Sequence, residues 1–141
     1  MNIHILSRAK VQYRRDAIWE STLLISIRDK GATQAAPWFR PDAALYLEFD
    51  DAGPQAEFPM LPDHATAVWK FLFDHAQPDK QLIVQCEVGI SRSAAIGKAI
   101  EHFRGGDWSM FDRPPFYPNP HVFALMMEVA KAWEGQQEKL R

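Results

Sequence analysis

The chain has 141 residues, a formal net charge of −2, and 47% hydrophobic residues. That length suits one domain over 1–141, that content suits a packed globule over a disordered chain, and the near balance of charge gives no general pull toward nucleic acid or an anionic membrane. A lone cysteine excludes an internal disulfide and fits a reducing cytoplasm, and no apolar run reaches the ~18 residues that a membrane-spanning helix needs.

Asn2-Ile3-His4-Ile5-Leu6 alternates and reads as a first strand, followed at once by polar, charged sequence unlike that of a signal peptide. Ser7 is positioned to cap a helix running to Ile18 or Trp19. Arg8, Lys10, Arg14 and Arg15 make that helix basic, which suits a solvated face or a rim for phosphopeptides. Thr22 to Ile27 reads as a buried strand ending in the polar turn Arg28-Asp29-Lys30-Gly31. In open α/β sheets ligands bind outside the carboxyl ends of strands, so Arg28 is either a plain turn residue or a neighbour of the site.

Residues 32 to 41 read as a surface loop from which Trp38 and Phe39 fold back onto the sheet. Ala44 to Phe49 is the next strand, and it delivers Asp50-Asp51 at its carboxyl end. After a proline-rich loop, Asp63 is placed to cap a helix over 64–75 whose Val68, Phe71 and Leu72 share one face, with Trp69 beside them. Gln81 to Val84 is a short buried strand, Ala94 to about Phe103 a helix, and Gly105-Gly106 its stop. The aromatic, proline-rich stretch 107–118 suits a crossover packed over helices, or a partner-binding edge. Asn119-Pro120 opens a last helix with Val122, Leu125, Met126, Val129 and Trp133 as its apolar stripe, and the polar tail from Gly135 to Arg141 is expected to fray. Strands alternating with helices predict a three-layer α/β fold with a central, mostly parallel sheet of four or five strands, the Cys86 strand near its middle.

The chemistry concentrates between the last strand and the helix that follows it, in Cys86-Glu87-Val88-Gly89-Ile90-Ser91-Arg92-Ser93. A loop running into a helix N-terminus aims backbone N–H groups and the positive end of a helix dipole at one spot, which makes an anion site. The same field favours a thiolate at Cys86. Such a thiolate would attack phosphorus and carry a phosphocysteine, with the amides of Glu87, Val88, Gly89, Ile90, Ser91 and Arg92 cradling the phosphoryl oxygens. The planar fork of Arg92 would grip two of them, Gly89 permits a turn that a side chain would obstruct, and the Ser93 hydroxyl would bond the sulfur and improve it as a leaving group. Phosphoryl transfer also needs a proton donor for the leaving oxygen, and then a base for water. Asp51, 35 residues before Cys86, is preferred for both; Asp50 beside it also fits. No set of side chains has metal-ligand spacing, so neither a metal nor another cofactor is expected.

Those eight residues resemble the Cys-x5-Arg-Ser/Thr signature of the cysteine-dependent protein tyrosine phosphatases, the compact, dual-specificity-like bacterial type in particular. The resemblance implies a protein-tyrosine-phosphatase of cytoplasmic location and the same three-layer fold. Its catalytic residues would be Cys86, Arg92, Ser93 and an Asp on a mobile upstream loop, Asp51 or Asp50. Its partner would be a phosphorylated protein or peptide, and phosphate or sulfate would occupy the site. The short chain leaves no room for the segments that build a deep phosphotyrosine cleft, so phosphoserine and phosphothreonine are expected as further substrates. Glu87 in the loop speaks against polyphosphorylated substrates and RNA triphosphates. The family usually has His before the nucleophile; here Gln85 stands there and carries no charge. That leaves a phosphate- or phosphopeptide-binding module with little turnover as the alternative. An arsenate reductase or sulfur-transfer protein fits less well, since arsenate reduction generally needs further thiols.

Overall fold

The computed structural model describes residues 1–14 and 20–141. Its strands are β1 (Asn2–Ser7), β2 (Thr22–Arg28), β3 (Ala43–Glu48) and β4 (Gln81–Cys86), and its α-helices are α1 (Arg8–Tyr13), α2 (Pro62–His75), α3 (Arg92–Arg104) and α4 (Pro120–Ala130). The strands form one wholly parallel sheet in the order β1-β4-β2-β3. The expected α/β architecture is thus found with four strands, and β4 lies inside the sheet. Parallel pairing puts every carboxyl end at the same edge, where Ser7 lies opposite Cys86 and Arg28 opposite Glu48.

Side chains alternate across a strand, so each strand serves two layers. Leu23, Ile25, Ile27, Leu82, Val84 and Cys86 face the larger core, built with α2, α3 and α4. Leu6, Leu24 and Ile83 face a smaller one, closed by Val11 of α1 and by Phe39, with Trp38 packed against it. β2 is buried on both faces almost throughout, which is why its sequence is a near-continuous apolar run. The Trp69 indole is fully buried and donates through Nε1 to the Met126 carbonyl (2.9 Å), which ties α2 to α4.

Helices α1 and α2 and the tail depart from the sequence reading. The helix after Ser7, capped as expected by the Ser7 hydroxyl on the Lys10 N–H, ends at Tyr13, and the remaining stretch to Trp19 lies outside the described residues from 15 onward. Helix α2 starts at Pro62, so Asp63 sits in its first turn and does not cap it; Leu61 holds the cap position, and its N–H donates to His64 Nδ1 (2.9 Å). Proline is suited to the first helical position because its missing N–H would have had no partner there. The tail does not fray: Leu140 is buried in the larger core, Arg104 Nη1 donates to its carbonyl, and Arg141 Nε donates to the carbonyl of Arg104. One apolar residue in a polar stretch is enough to dock it.

Replacing Trp69 with alanine removes the largest fully buried side chain among the described residues. The substitution should cost about 3–5 kcal/mol, read as a lower urea midpoint at an unchanged slope.

Candidate active site

Strand β4 ends at Cys86, and the chain loops through residues 87–91 before α3 begins at Arg92. The loop is seated on the end of β1. Arg8 N–H donates to the Glu87 carbonyl (3.1 Å), and Gly89, at φ +79°, packs directly on the backbone of Leu6 and Ser7. On the other side the chain entering α4 holds the loop: Tyr117 N–H donates to the Ile90 carbonyl (2.8 Å) and Asn119 N–H to that of Ser91 (3.2 Å). The stretch 107–118 packs through the buried Phe111, while Trp108, Met110 and Tyr117 stay exposed.

The loop carbonyls of Glu87, Ile90 and Ser91 thus point into protein donors. Among the described residues, none of the N–H groups of Glu87 to Ser91 donates to a protein acceptor. Successive amides without protein acceptors are what an anion-binding nest is made from. Cys86, the last residue of β4 before the loop, is 2% exposed, with its Sγ 3.0 Å from the fully buried Ser93 Oγ.

Arg92 is buried on the first turn of α3, and a buried guanidinium needs a countercharge. Asp29 supplies it, at 2.7 Å from Nη1, and the same nitrogen donates to the Phe49 carbonyl (2.7 Å). Nε of Arg92 is buried with no protein partner. One side of the group is therefore anchored while Nε keeps an open donor. Sequence reasoning singled out Arg28 in this turn, but Arg28 faces Glu48 (3.4 Å) and Gln34 (3.4 Å). Asp29 was missed because an Asp in a polar turn has many uses, and only β2 lying next to β4 shows which one it has.

The two adjacent carboxylates divide. Asp51 Oδ1 accepts from Ser91 Oγ (2.8 Å) and from Asn119 Nδ2 (2.8 Å), which puts it against the signature loop. Asp50 turns away and accepts from the Lys30 N–H (2.9 Å) through Oδ1, while its own N–H donates to the Phe58 carbonyl (2.7 Å). Asn119 was read from the sequence only as a helix opener. It does cap α4, through Oδ1 on the Val122 N–H (3.1 Å), and its Nδ2 also donates to the Ala52 carbonyl (3.2 Å). One side chain therefore links the acidic loop and the last helix, while its own N–H holds the signature loop.

Gln85 is buried and paired at both ends of its amide. Ser26 Oγ donates to Oε1 (2.5 Å), and Nε2 donates to the Cys86 carbonyl (2.9 Å). The group holds the Cys86 carbonyl without adding charge. Among the described residues, no group of three or more His, Cys, Asp or Glu could hold a metal, and no helix is long and apolar enough to cross a membrane.

No protein-family model matches the chain, and no curated protein sequence matches it. Solved structures do. The human tyrosine phosphatase-like serine/threonine/tyrosine-interacting protein aligns at a TM-score of 0.69 with 18% identity, over 94% of this chain and 93% of its own. Human DUSP28 aligns at 0.68 with 20% identity, over 95% and 94%. The PTP-2 phosphatase of Cydia pomonella aligns at 0.60 with 18% identity, over 91% and 85%. The chain has the fold of the tyrosine and dual-specificity phosphatases.

A β-carbon at position 89 would lie 2.6 Å from the Ser7 nitrogen, at a φ that L-residues avoid. Gly89→Ala should therefore destabilise by at least about 1–2 kcal/mol, whereas Gly53→Ala, with nothing within 4 Å, should be nearly neutral; thermal melts of the two variants compare them.

Proposed function

We propose that this protein is a metal-independent, cysteine-dependent phosphatase acting on phosphotyrosine in proteins or peptides, and on phosphoserine and phosphothreonine as well. The observation that carries the reading is the unpaired donor set around one thiol: the free N–H groups of residues 87–91 and the orphaned Nε of Arg92. A phosphoryl group has the oxygens to satisfy them.

In this mechanism the Cys86 thiolate attacks phosphorus, and the bond to the leaving oxygen breaks. Asp51 gives that oxygen its proton, so the alcohol or phenol leaves neutral. The carboxylate so formed takes a proton from water, whose oxygen attacks the phosphocysteine. The S–P bond breaks, inorganic phosphate departs, and Ser93 steadies the returning thiolate with a hydrogen bond. Asp29 keeps Arg92 aligned throughout, and Gln85 holds the Cys86 carbonyl. Asp51 is the better acid because its carboxyl already touches the loop, whereas Asp50 braces the Lys30 amide.

A second reading is a phosphopeptide-binding module with little turnover. The neutral Gln85 favours it, as does the likeness to a protein described as phosphatase-like and interacting.

Hydrolysis of para-nitrophenyl phosphate separates the two. The phosphatase should turn over with a chelator present, be inhibited competitively by inorganic phosphate, and fall to background in Cys86→Ser. A general acid must be protonated to act, so the wild-type rate should fall as pH rises through its pKa. Asp51→Asn should lose that basic limb and about 10²–10⁴-fold in rate, while Asp50→Asn keeps the limb. Retention of the limb in both variants would remove the general-acid assignment, and absence of turnover in the wild type would favour the binding module.

A further inference from the structure

Beside the acidic loop, a depression of about 410 Å³ opens between the outer edge of β3 and the segment 57–61. Its walls are partly apolar and partly bare: Phe58 and Leu61 are 38% and 52% exposed, and Tyr46 is also in the lining. Its charges are unequal. Lys30 is occupied by Glu48 (3.1 Å) and lies over the Phe58 ring (5.4 Å to the centroid). Glu57, exposed on the rim, has no partner among the described residues. His64, also in the lining, has its pKa lowered by burial and accepts the Leu61 N–H on Nδ1, so it adds no positive charge at neutral pH. Glu48 is matched by Lys30 and also by Arg28 (3.4 Å), so Glu57 is the lining carboxylate left without a counter-ion beside a partly apolar hollow, which suits a long aliphatic stem ending in a cation.

The hollow and the phosphate loop share one short segment. The Phe58 carbonyl accepts the Asp50 N–H (2.7 Å), and the next residue, Asp51, reaches Ser91. A peptide lying across the phosphate loop would bring a side chain a few residues from the phosphorylated one to this rim, since extended chain advances about 3.3 Å per residue.

We propose that this depression is a substrate subsite for a lysine or arginine near the phosphorylated residue, with Glu57 taking the cation and Phe58 and Leu61 taking the stem. The proposal rests on the phosphatase or phosphopeptide-binding reading of the site and adds a sequence preference to it.

The test uses phosphotyrosyl peptides of otherwise neutral sequence with one arginine walked along both flanks, against alanine and glutamate at the same positions. Binding is read by fluorescence anisotropy on the whole protein, and turnover by phosphate release. At one position arginine should tighten binding and lower KM about tenfold with kcat unchanged, the combined effect of a buried stem and a rim charge pair. Glu57→Gln and Leu61→Ser should remove that gain and leave para-nitrophenyl phosphate hydrolysis unchanged. Equal binding of arginine, alanine and glutamate peptides at every position overturns the proposal, as does a gain that survives both substitutions. Loss of turnover on every substrate, with the arginine gain in binding intact, would overturn the phosphatase reading and leave the subsite standing.

Discussion

The buried guanidinium of Arg92 organises this end of the molecule. A charge held out of water needs both a countercharge and hydrogen-bond acceptors, and here they come from Asp29 at the end of β2 and the Phe49 carbonyl just beyond β3. The arginine itself opens the helix that follows β4. Three neighbouring strand ends are therefore gathered around one group, and none can shift without exposing or stranding it. The signature loop gains a rigid floor from this arrangement, and the unpaired Nε gives that floor a donor.

The outward turn of the loop carbonyls complements the floor. Each protein donor that takes a carbonyl (Arg8, Tyr117 and Asn119 supply three) leaves the opposite side of the loop presenting amides. The donors come from chain before β2 and from chain after α3, so the loop's shape is set by the folded molecule as a whole. Asn119 extends the coupling to Asp51 and to the cap of α4. The Asp51 carboxylate is thereby tied to the two residues that open α3 and α4.

Gln85 shows how a neutral amide can serve at a position where the resembling family carries histidine. Its Nε2 secures the Cys86 carbonyl, and its oxygen is satisfied by Ser26 on the adjacent strand, in register with it. A buried polar group with both ends paired carries little penalty. It also brings no positive charge, so the field that acts on the thiol comes from the loop amides, the start of α3 and Arg92.

The sequence by itself determined the strands, because their apolar runs are short, bounded by turns and alternate with helical periods; it determined the signature loop as well, because a cysteine and an arginine at fixed spacing between a strand and a helix is a local pattern. It placed both aspartates at a strand end and preferred Asp51, but adjacent residues share the local signals and Asp50 fitted as well. Only the tertiary structure decided the rest. Asp51 and Asp50 parted because Ser91 and Asn119 lie on one side of the strand end and Lys30 on the other. Asp29 became the arginine's partner, while Arg28 pairs with Glu48, because the strand order brings β2 between β4 and β3. The tail docked through Leu140 because α2 and α3 leave a place for it. Each of these choices joins residues far apart in the chain, and the physical reason they escape a sequence reading is that a hydrogen bond or an ion pair is specified by where its partner lies in space.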